Sequence, residues 1–468
     1  MTRPLTEEAH AELLSSLPPA SDASVSNFAS ALASAAEACN MQEYENLPAQ
    51  ELEARQVQGR MITYASPDST YSVTRRLVEG AQSSIVIGIY DFSAGYMKEL
   101  LLRAMQRGVR VSLMLDLNGR QGEMDVYNQL GNRGALTVPA PSCSGRGQNP
   151  HFSHAHEKII VVDGEWTMIQ SGNWSENSIP FNEGDGVVVG TWAPGNRDMG
   201  IAVQSPVLAD FFTRLIQSDM ALELGQQEAE SLLSATIPTA PGLSTTFVKD
   251  EVFAEAPERI PEELFPSRTF PMGASLSIRP VLSPDNYMEV VPRFLRSARH
   301  SVWIEQQYIR AHQPTIRVLL DAIRDARADN PDLDVRIIVA PRDEGVPSMK
   351  NVLAQEYNLH APDNVRLLSG SFFEHCHNKL IVVDGERVLI GSQNWSTTAV
   401  TINREASLLI EHAGVASYFA DIFDVDWRMS AADSEAEGVP QTERRLFASP
   451  AFASGLVIQL SPGDYADV

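Results

Sequence analysis

The sequence predicts an α/β protein: two duplicated, layered α/β/α sandwich domains behind an N-terminal helical extension. Three observations predict it. The stretch "SHAHEKIIVVDGEWTMIQSGNWS" (residues 153–175) returns as "EHCHNKLIVVDGERVLIGSQNWS" (residues 374–396). Upstream of each copy, "SPDSTYSVTRRLVEGAQSSIVIGIYDFS" from Ser66 is echoed by "SPDNYMEVVPRFLRSARHSVWIEQQYIR" from Ser283. Within each copy, amphipathic helical stretches alternate with strand-sized apolar runs. That alternation, kept in order at domain-scale spacing, is the mark of a duplicated α/β unit.

The elements follow in order. Residues 1–61 include "NFASALASAAEACNMQEYENL", which is Ala-rich and has no strand pattern, so a helical extension is expected. The first domain spans 62–224, with a helix after Ser66, a strand at "SSIVIGIY", a helix and strand in "GYMKELLLRAMQRGVRVSLMLD", and then the repeated motif. Residues 225–275 are Pro-rich and irregular, and they predict a surface connection. The second domain spans 276–428, with "PTIRVLLDAIRDA" and "LDVRIIVAP" in the corresponding places. A tail, 429–468, ends in "SGLVIQLSP", which suits an edge strand.

The chain has 468 residues, 43% of them hydrophobic and 21% charged, as in globular proteins. No apolar run reaches membrane-spanning length, and the N-terminus has no continuous apolar segment of the secretory kind. Three cysteines, Cys39, Cys143 and Cys376, give no disulfide framework. A cytoplasmic location is therefore expected, with a processed periplasmic or secreted form as the alternative. The net charge of −24 opposes loose adhesion to nucleic acid or to an anionic bilayer.

The repeated stretch carries the chemistry. Side chains alternate along an extended chain, so His375, His377 and Lys379 share one face, as do His154, His156 and Lys158. A lysine beside a histidine at the edge of an apolar run calls for an anion there. Asp163 and Asp384 follow five residues beyond each lysine, and Ser171, Asn173, Ser392 and Asn394 come from the next segment.

This pattern, H-x-K-x4-D followed by G-S-x-N, resembles the signature of the phospholipase D superfamily. The second copy matches in full; in the first, Gln170 stands in place of the glycine. The resemblance covers about residues 62 to 428. It implies two halves related by a pseudo-twofold axis, with one site at their seam. It also implies that one histidine, taken here as His156, attacks phosphorus to form a phosphohistidine while the other, His377, acts as acid and base; the departures in the first half leave the reverse assignment as the alternative. Lys158, Lys379, Asn173, Asn394, Ser171 and Ser392 would neutralise or hydrogen-bond the phosphate oxygens. No metal or cofactor is implied, because the lysines supply the positive charge. Asp163 and Asp384 become supports within the catalytic set. An acid orienting each histidine is expected as well. Glu405, in "INREASLLIE", fits for the second half, serving its own histidine or reaching across the seam. In the first half the matching position is Gly184, so Glu183 or Asp185 is expected to substitute.

The other features favour plain roles. Asn173 and Asn394 lie in N-W-S sequons, but a sugar there would block the site. Arg293, Arg296 and Arg299 read as a solvated helix face. The Gly-rich "APSCSGRGQNPHF" predicts a flexible rim or lid. Phe372 and Phe373 read as core. The expected function is cleavage of a phosphodiester, or its transfer to an alcohol, with phospholipid as the substrate and peripheral membrane contact. A nuclease using the same two histidines is the alternative, and a non-enzymatic phosphate-binding module the third reading. A fused pair of half-sites needs no second chain, so a monomer is expected.

Overall fold

The structure is a computed structural model that describes residues 39–120, 122–189, 192–225, 264–271, 275–341, 343–368 and 373–431. Strand β1 (Arg55–Val57) and β2 (Arg60–Ser66) lead into α1 (Thr70–Gly80), β3 (Ser84–Ile89), α2 (Gly95–Gln106), β4 (Arg110–Leu115), α3 (Glu123–Asn132) and β5 (Leu136–Pro139). The motif follows as β6 (Lys158–Val162) and β7 (Trp166–Gln170), then β8 (Asp198–Gln204) and α4 (Pro206–Leu224). Strand β9 (Arg268–Pro271) opens the second half. It continues with β10 (Leu276–Ser283), α5 (Tyr287–Arg296), β11 (Ser301–Gln306), α6 (Pro314–Asp329), β12 (Asp334–Val339), α7 (Val346–Tyr357) and β13 (Val365–Leu367). The second motif forms β14 (Lys379–Val383) and β15 (Arg387–Gly391), followed by α8 (Thr397–Thr401), β16 (Glu405–Glu411) and α9 (Ala413–Ala431).

Two eight-stranded mixed sheets result, in the orders β5-β4-β3-β6-β7-β8-β2-β9 and β1-β10-β16-β15-β14-β11-β12-β13. In each, the three outermost strands on one side run parallel and the remaining pairs are antiparallel. One apolar core spans both halves, joining Ile169 and Ile201 of the first sheet to Leu380, Ile390 and Leu408 of the second. Separate cores lie under α1–α3 and under α5–α7. Each large side chain buried in these layers contributes on the order of 2 kcal/mol, which holds the two sheets together as one body.

Local chemistry explains the boundaries. Ser205 caps α4 by accepting a hydrogen bond from the Leu208 amide, and Pro206 occupies the first helical position, where no amide donor is needed. The β6–β7 and β14–β15 hairpins turn on Asp163-Gly164 and Asp384-Gly385, all four with positive φ. Three residues separate the paired strand ends, and the Glu165 and Glu386 amides close each turn onto the Val162 and Val383 carbonyls (3.0 and 3.2 Å), with Asp-Gly supplying the positive φ the turn demands.

Three expectations are corrected. Residues 1–38 lie outside the described residues. Beyond them the extension is not the expected helix: residues 41–48 are irregular, Ala49–Leu52 form one 3-10 turn, and β1 is a strand. Part of the expected surface connection is also a strand. β1 pairs with β10 of the second half, while β9 pairs with β2 of the first, so the halves exchange edge strands. Each exchange covers an open sheet edge. The expected strand in the tail lies outside the described residues. Third, Cys39 and Cys143 form a disulfide, with Cα atoms 5.8 Å apart, which overturns the expectation that none forms. Folding brings together two cysteines separated by 104 residues, a proximity that spacing does not reveal.

Candidate active site

The segments entering β6 and β14 cross the seam. The His156 amide donates to the Arg404 carbonyl (2.8 Å), and the Arg404 amide donates to the His154 carbonyl (2.9 Å). In the mirror position, the Arg197 amide donates to the His375 carbonyl (2.8 Å) and the His377 amide to the Arg197 carbonyl (3.0 Å). The residue after each arginine is an acid. Glu405 Oε2 lies 2.8 Å from His156 Nδ1, and Asp198 Oδ1 lies 2.8 Å from His377 Nδ1. Each half thus supplies a histidine, and the opposite half supplies the backbone and the carboxylate that orient it. A ring whose Nδ1 proton is held by a carboxylate presents Nε2 to the site.

Asp198 is therefore the acid of the first half, and the expectation of Glu183 or Asp185 is corrected. Glu183 is exposed and pairs with Arg75 (2.5 Å); Asp185 accepts from the amide and hydroxyl of Ser267 (both 2.6 Å). Both lie on the loop before β8, away from the histidines. A signal was present. "RDMGIAV" (197–203) parallels "REASLLI" (404–410), and an Arg-acid pair opens each strand. Matching on asparagine, Asn182 with Asn403, hid it. Asn182 instead braces its own loop through Pro67 and Ala193.

Asp163 and Asp384 are not brought to the site. They sit at the far end of β6 and β14, roughly 16 Å from the lysines at about 3.3 Å per residue. Asp163 accepts from the amides of Gln82, Ser83 and Ser84, and Asp384 from those of Arg299, His300 and Ser301. They are turn residues that tie each hairpin to the strand beside it. Expected as supports within the catalytic set, they brace the hairpins instead of the histidines and lysines. Ser171 and Ser392 are at the site but face the acids and backbone: Ser171 Oγ donates to Asp198 (2.7 Å), and Ser392 Oγ receives the Ala406 amide (3.0 Å).

Lys158 and Lys379 are buried beside the histidines. Lys158 Nζ donates to the His156 carbonyl (2.5 Å) and lies 5.1 Å from the Tyr90 ring centre. Lys379 Nζ donates to the His377 carbonyl (2.6 Å) and to Gln307 (3.2 Å). Tyr90 also meets the His156 ring edge-on at 4.6 Å. Asn173 and Asn394 are buried, so their sequons have no room for a sugar, and Trp174 and Trp395 pack fully buried beside them. Phe373 is buried with its ring 4.0 Å from the Arg197 guanidinium, as a core residue would be; Phe372 lies outside the described residues. The expected lid is instead anchored. Cys143 is bridged to Cys39, Ser142 and Ser144 donate to Asp116, and Glu223 receives the Gln148 and Asn149 amides. Arg293 and Arg296 form surface pairs with Glu289 and Asp325.

Burial dominates the electrostatics. It lowers Lys158 to about 7 and Lys379 to about 8, and pushes Glu405 up to about 8. Burial and the nearby lysines lower His377 to about 4 and hold His156 well below its ordinary value. Burial would also raise Asp198, but His377 and Lys379 outweigh it and keep that carboxyl below the usual range. The two half-sites are alike in residues and unlike in charge. His377 faces an ionised carboxylate; His156 faces one that holds its proton more tightly.

Two neutral imidazoles, each steered by an acid and flanked by a lysine and an asparagine, define a two-histidine phosphodiester site shared between tandem domains. The chain belongs to the phospholipase D superfamily, and the family described as "Cardiolipin synthase, PLD-like domain" matches it twice, over residues 74–219 and 291–427. Among curated relatives, cardiolipin synthase A of Pseudomonas putida is 24% identical over 390 residues, covering 80% of this chain and 69% of that protein. Cardiolipin synthase 2 of Staphylococcus epidermidis is 23% identical over 408 residues, covering 82% of this chain and 70% of that protein. Among solved structures, phosphatidylserine synthase of Haemophilus influenzae is similar at 13% identity and a TM-score of 0.49, over 85% of this chain and 90% of that one.

Proposed function

We propose that the protein transfers a phosphatidyl group from one phospholipid to an alcohol, as a cardiolipin synthase does, rather than acting chiefly as a hydrolase. The observation that carries this reading is the pair of crossed histidine–acid dyads, His156–Glu405 and His377–Asp198, in a chain whose family and curated relatives bear that name. The nuclease reading has less support, given the acidic chain and the lipid-acting relatives.

The chemistry takes two displacements. His156 Nε2 attacks phosphorus, the bond to the leaving alcohol oxygen breaks, and that oxygen takes a proton from His377. The acceptor hydroxyl then gives its proton to His377 as its oxygen attacks phosphorus, and the phosphorus–nitrogen bond breaks. The ionised Asp198 favours a charged ring at His377, which suits that residue to carry the proton. Binding the anionic phosphodiester raises the lowered histidine and lysine values toward their charged forms. The lysines spread the charge developing on the phosphoryl oxygens.

The test uses radiolabelled phosphatidylglycerol in detergent micelles. His156→Ala and His377→Ala are each expected to lose at least about 1,000-fold in turnover, a loss of the size expected for a nucleophile or proton carrier. With bis(4-nitrophenyl) phosphate, whose leaving group needs no proton, His377→Ala is expected to accumulate an acid-labile phosphoenzyme and His156→Ala none. A label on His377 would reverse the roles; no phosphoenzyme in any variant would end the covalent scheme.

A further inference from the structure

We propose that Arg310 forms a second phosphate subsite, which holds the phosphoryl group of a phosphate-bearing acceptor alcohol while the first phosphate reacts between the histidines. The proposal rests on the transferase reading above. Making a cardiolipin, two phosphatidyl groups joined through one glycerol, requires an acceptor that already carries a phosphate beside its hydroxyl.

Arg310 lines the same cleft as His156 and Asn394, together with Tyr308, Gln313 and Thr398. The backbone explains how the cation gets there. The Arg310 amide donates to the carbonyl of Trp395 (2.8 Å), the residue after Asn394. In the first half the same hydrogen bond runs from the Ser93 amide to the carbonyl of Trp174, after Asn173 (3.1 Å). One slot of the repeat therefore holds serine in one half and arginine in the other, so the two ends of the site differ.

The guanidinium is also held in place. Nη1 donates to Asp343 (2.5 Å), Asp343 also receives the Gly345 amide (2.7 Å), and the Tyr308 ring centre lies 4.3 Å from the guanidinium carbon. A Cβ on residue 345 would fall 2.7 Å from that nitrogen, so the glycine leaves Arg310 its room. A guanidinium carries five N–H donors in a planar fork that matches phosphate oxygens, and Asp343 takes one of them. The first half inverts the polarity: Asp91 stands at the strand end and Arg120 reaches it from the following loop (2.9 Å). A substrate pair with one extra phosphate is thereby given a direction across the site.

The experiment is acceptor competition with the full chain. Phosphatidylglycerol is the donor, and glycerol and glycerol 3-phosphate are offered together. Arg310→Gln is expected to lower the preference for glycerol 3-phosphate over glycerol at least tenfold, mainly through the acceptor KM, and Arg310→Lys to restore part of it. An unchanged preference overturns the subsite. An equal loss for both acceptors also overturns it, since Arg310 would then serve the reacting phosphate. Phosphatidylglycerol as acceptor, with and without competing inorganic phosphate, separates a lipid phosphodiester from a free phosphate as the occupant. If no phospholipid is turned over, the transferase reading fails, and the subsite is judged by calorimetric binding of glycerol 3-phosphate to His377→Ala. At least tenfold weaker binding on adding Arg310→Gln supports it, and equal affinity overturns it.

Discussion

Asp198 and Glu405 do the same work with different side chains. One is short and kept ionised by His377 and Lys379; the other is longer and raised to about 8 by burial, and it holds the Nδ1 proton of His156 in its ionised form. The histidines, lysines and asparagines of the site were legible because they recur at matched positions. The acid of the first half was not, because the match requires reading aspartate against glutamate behind a shared arginine. Asp198→Asn is expected to lower kcat by about 100-fold or more, since an amide no longer fixes the His377 tautomer or stabilises its charged ring. Glu183→Gln is expected to stay within about twofold; equal losses in both variants would remove Asp198 from its place. The pH profile belongs to this scale too. Lys158 and Lys379 lose their protons near 7 and 8, so positive charge leaves the site as pH rises, and kcat/KM for bis(4-nitrophenyl) phosphate should fall above that range. At acid pH the nucleophile is lost: protonation of His156, held well below its ordinary value by burial and the nearby lysines, removes the Nε2 lone pair, so activity falls again. A Lys379→Arg variant that still binds should extend activity to higher pH, because a guanidinium does not titrate there. A wild-type profile flat to about pH 9 would contradict the lowered lysines, values of the kind expected for buried ammonium groups.

Strands and helices recur as the repeated sequence implies, but their edges were harder to read. The Asp-Gly turns after "KIIVV" and "KLIVV" follow from backbone conformation, and they place the two aspartates expected as supports at the hairpin turns, away from the histidines. Asp384 makes the point: it receives three backbone amides and a contact from Arg387 (2.8 Å). Asp384→Ala is expected to cost about 1–3 kcal/mol in urea unfolding, from lost hydrogen bonds and a positive φ that alanine resists. The kcat of the folded fraction should remain near normal. A catalytic aspartate would give the opposite pattern. The exchanged edge strands and the Cys39–Cys143 bridge could not be read from local pattern, because each joins segments whose proximity depends on the assembled halves. The bridge closes a long loop. Cys39→Ser is expected to cost roughly 2–4 kcal/mol and to loosen the loop ahead of His154. Addition of a thiol reductant should destabilise the parent chain by a similar amount and leave the variant unchanged.

At the scale of the whole molecule, the two halves clasp one another through two buried arginines. Arg404 grips Asp219 of the first half with two hydrogen bonds (2.8 and 2.9 Å) and Asp285 of its own half with a third (2.7 Å), between the rings of Tyr44 and Phe152. Arg197 mirrors it, bonding Asp426 of the second half (3.1 Å) and Asp68 of its own (3.3 Å), beside Phe265 and Phe373. The own-half acids are the Asp of the two Ser-Pro-Asp repeats, so the duplication carries the clasp as well as the catalyst. Each arginine also sets the backbone of the opposite histidine and precedes its acid, so docking and catalysis share the same residues. Asp219→Asn is therefore expected to cost about 3–5 kcal/mol, the penalty for leaving a buried guanidinium short of a partner. Turnover should fall with it, through displacement of His156. Asp426→Asn should do the same through His377. Because the seam holds one shared core, unfolding followed by tryptophan fluorescence and by activity should coincide in a single transition for each variant. Two separated transitions, with the histidine site lost in the first, would mean that the halves fold independently and that the clasp serves only to dock them.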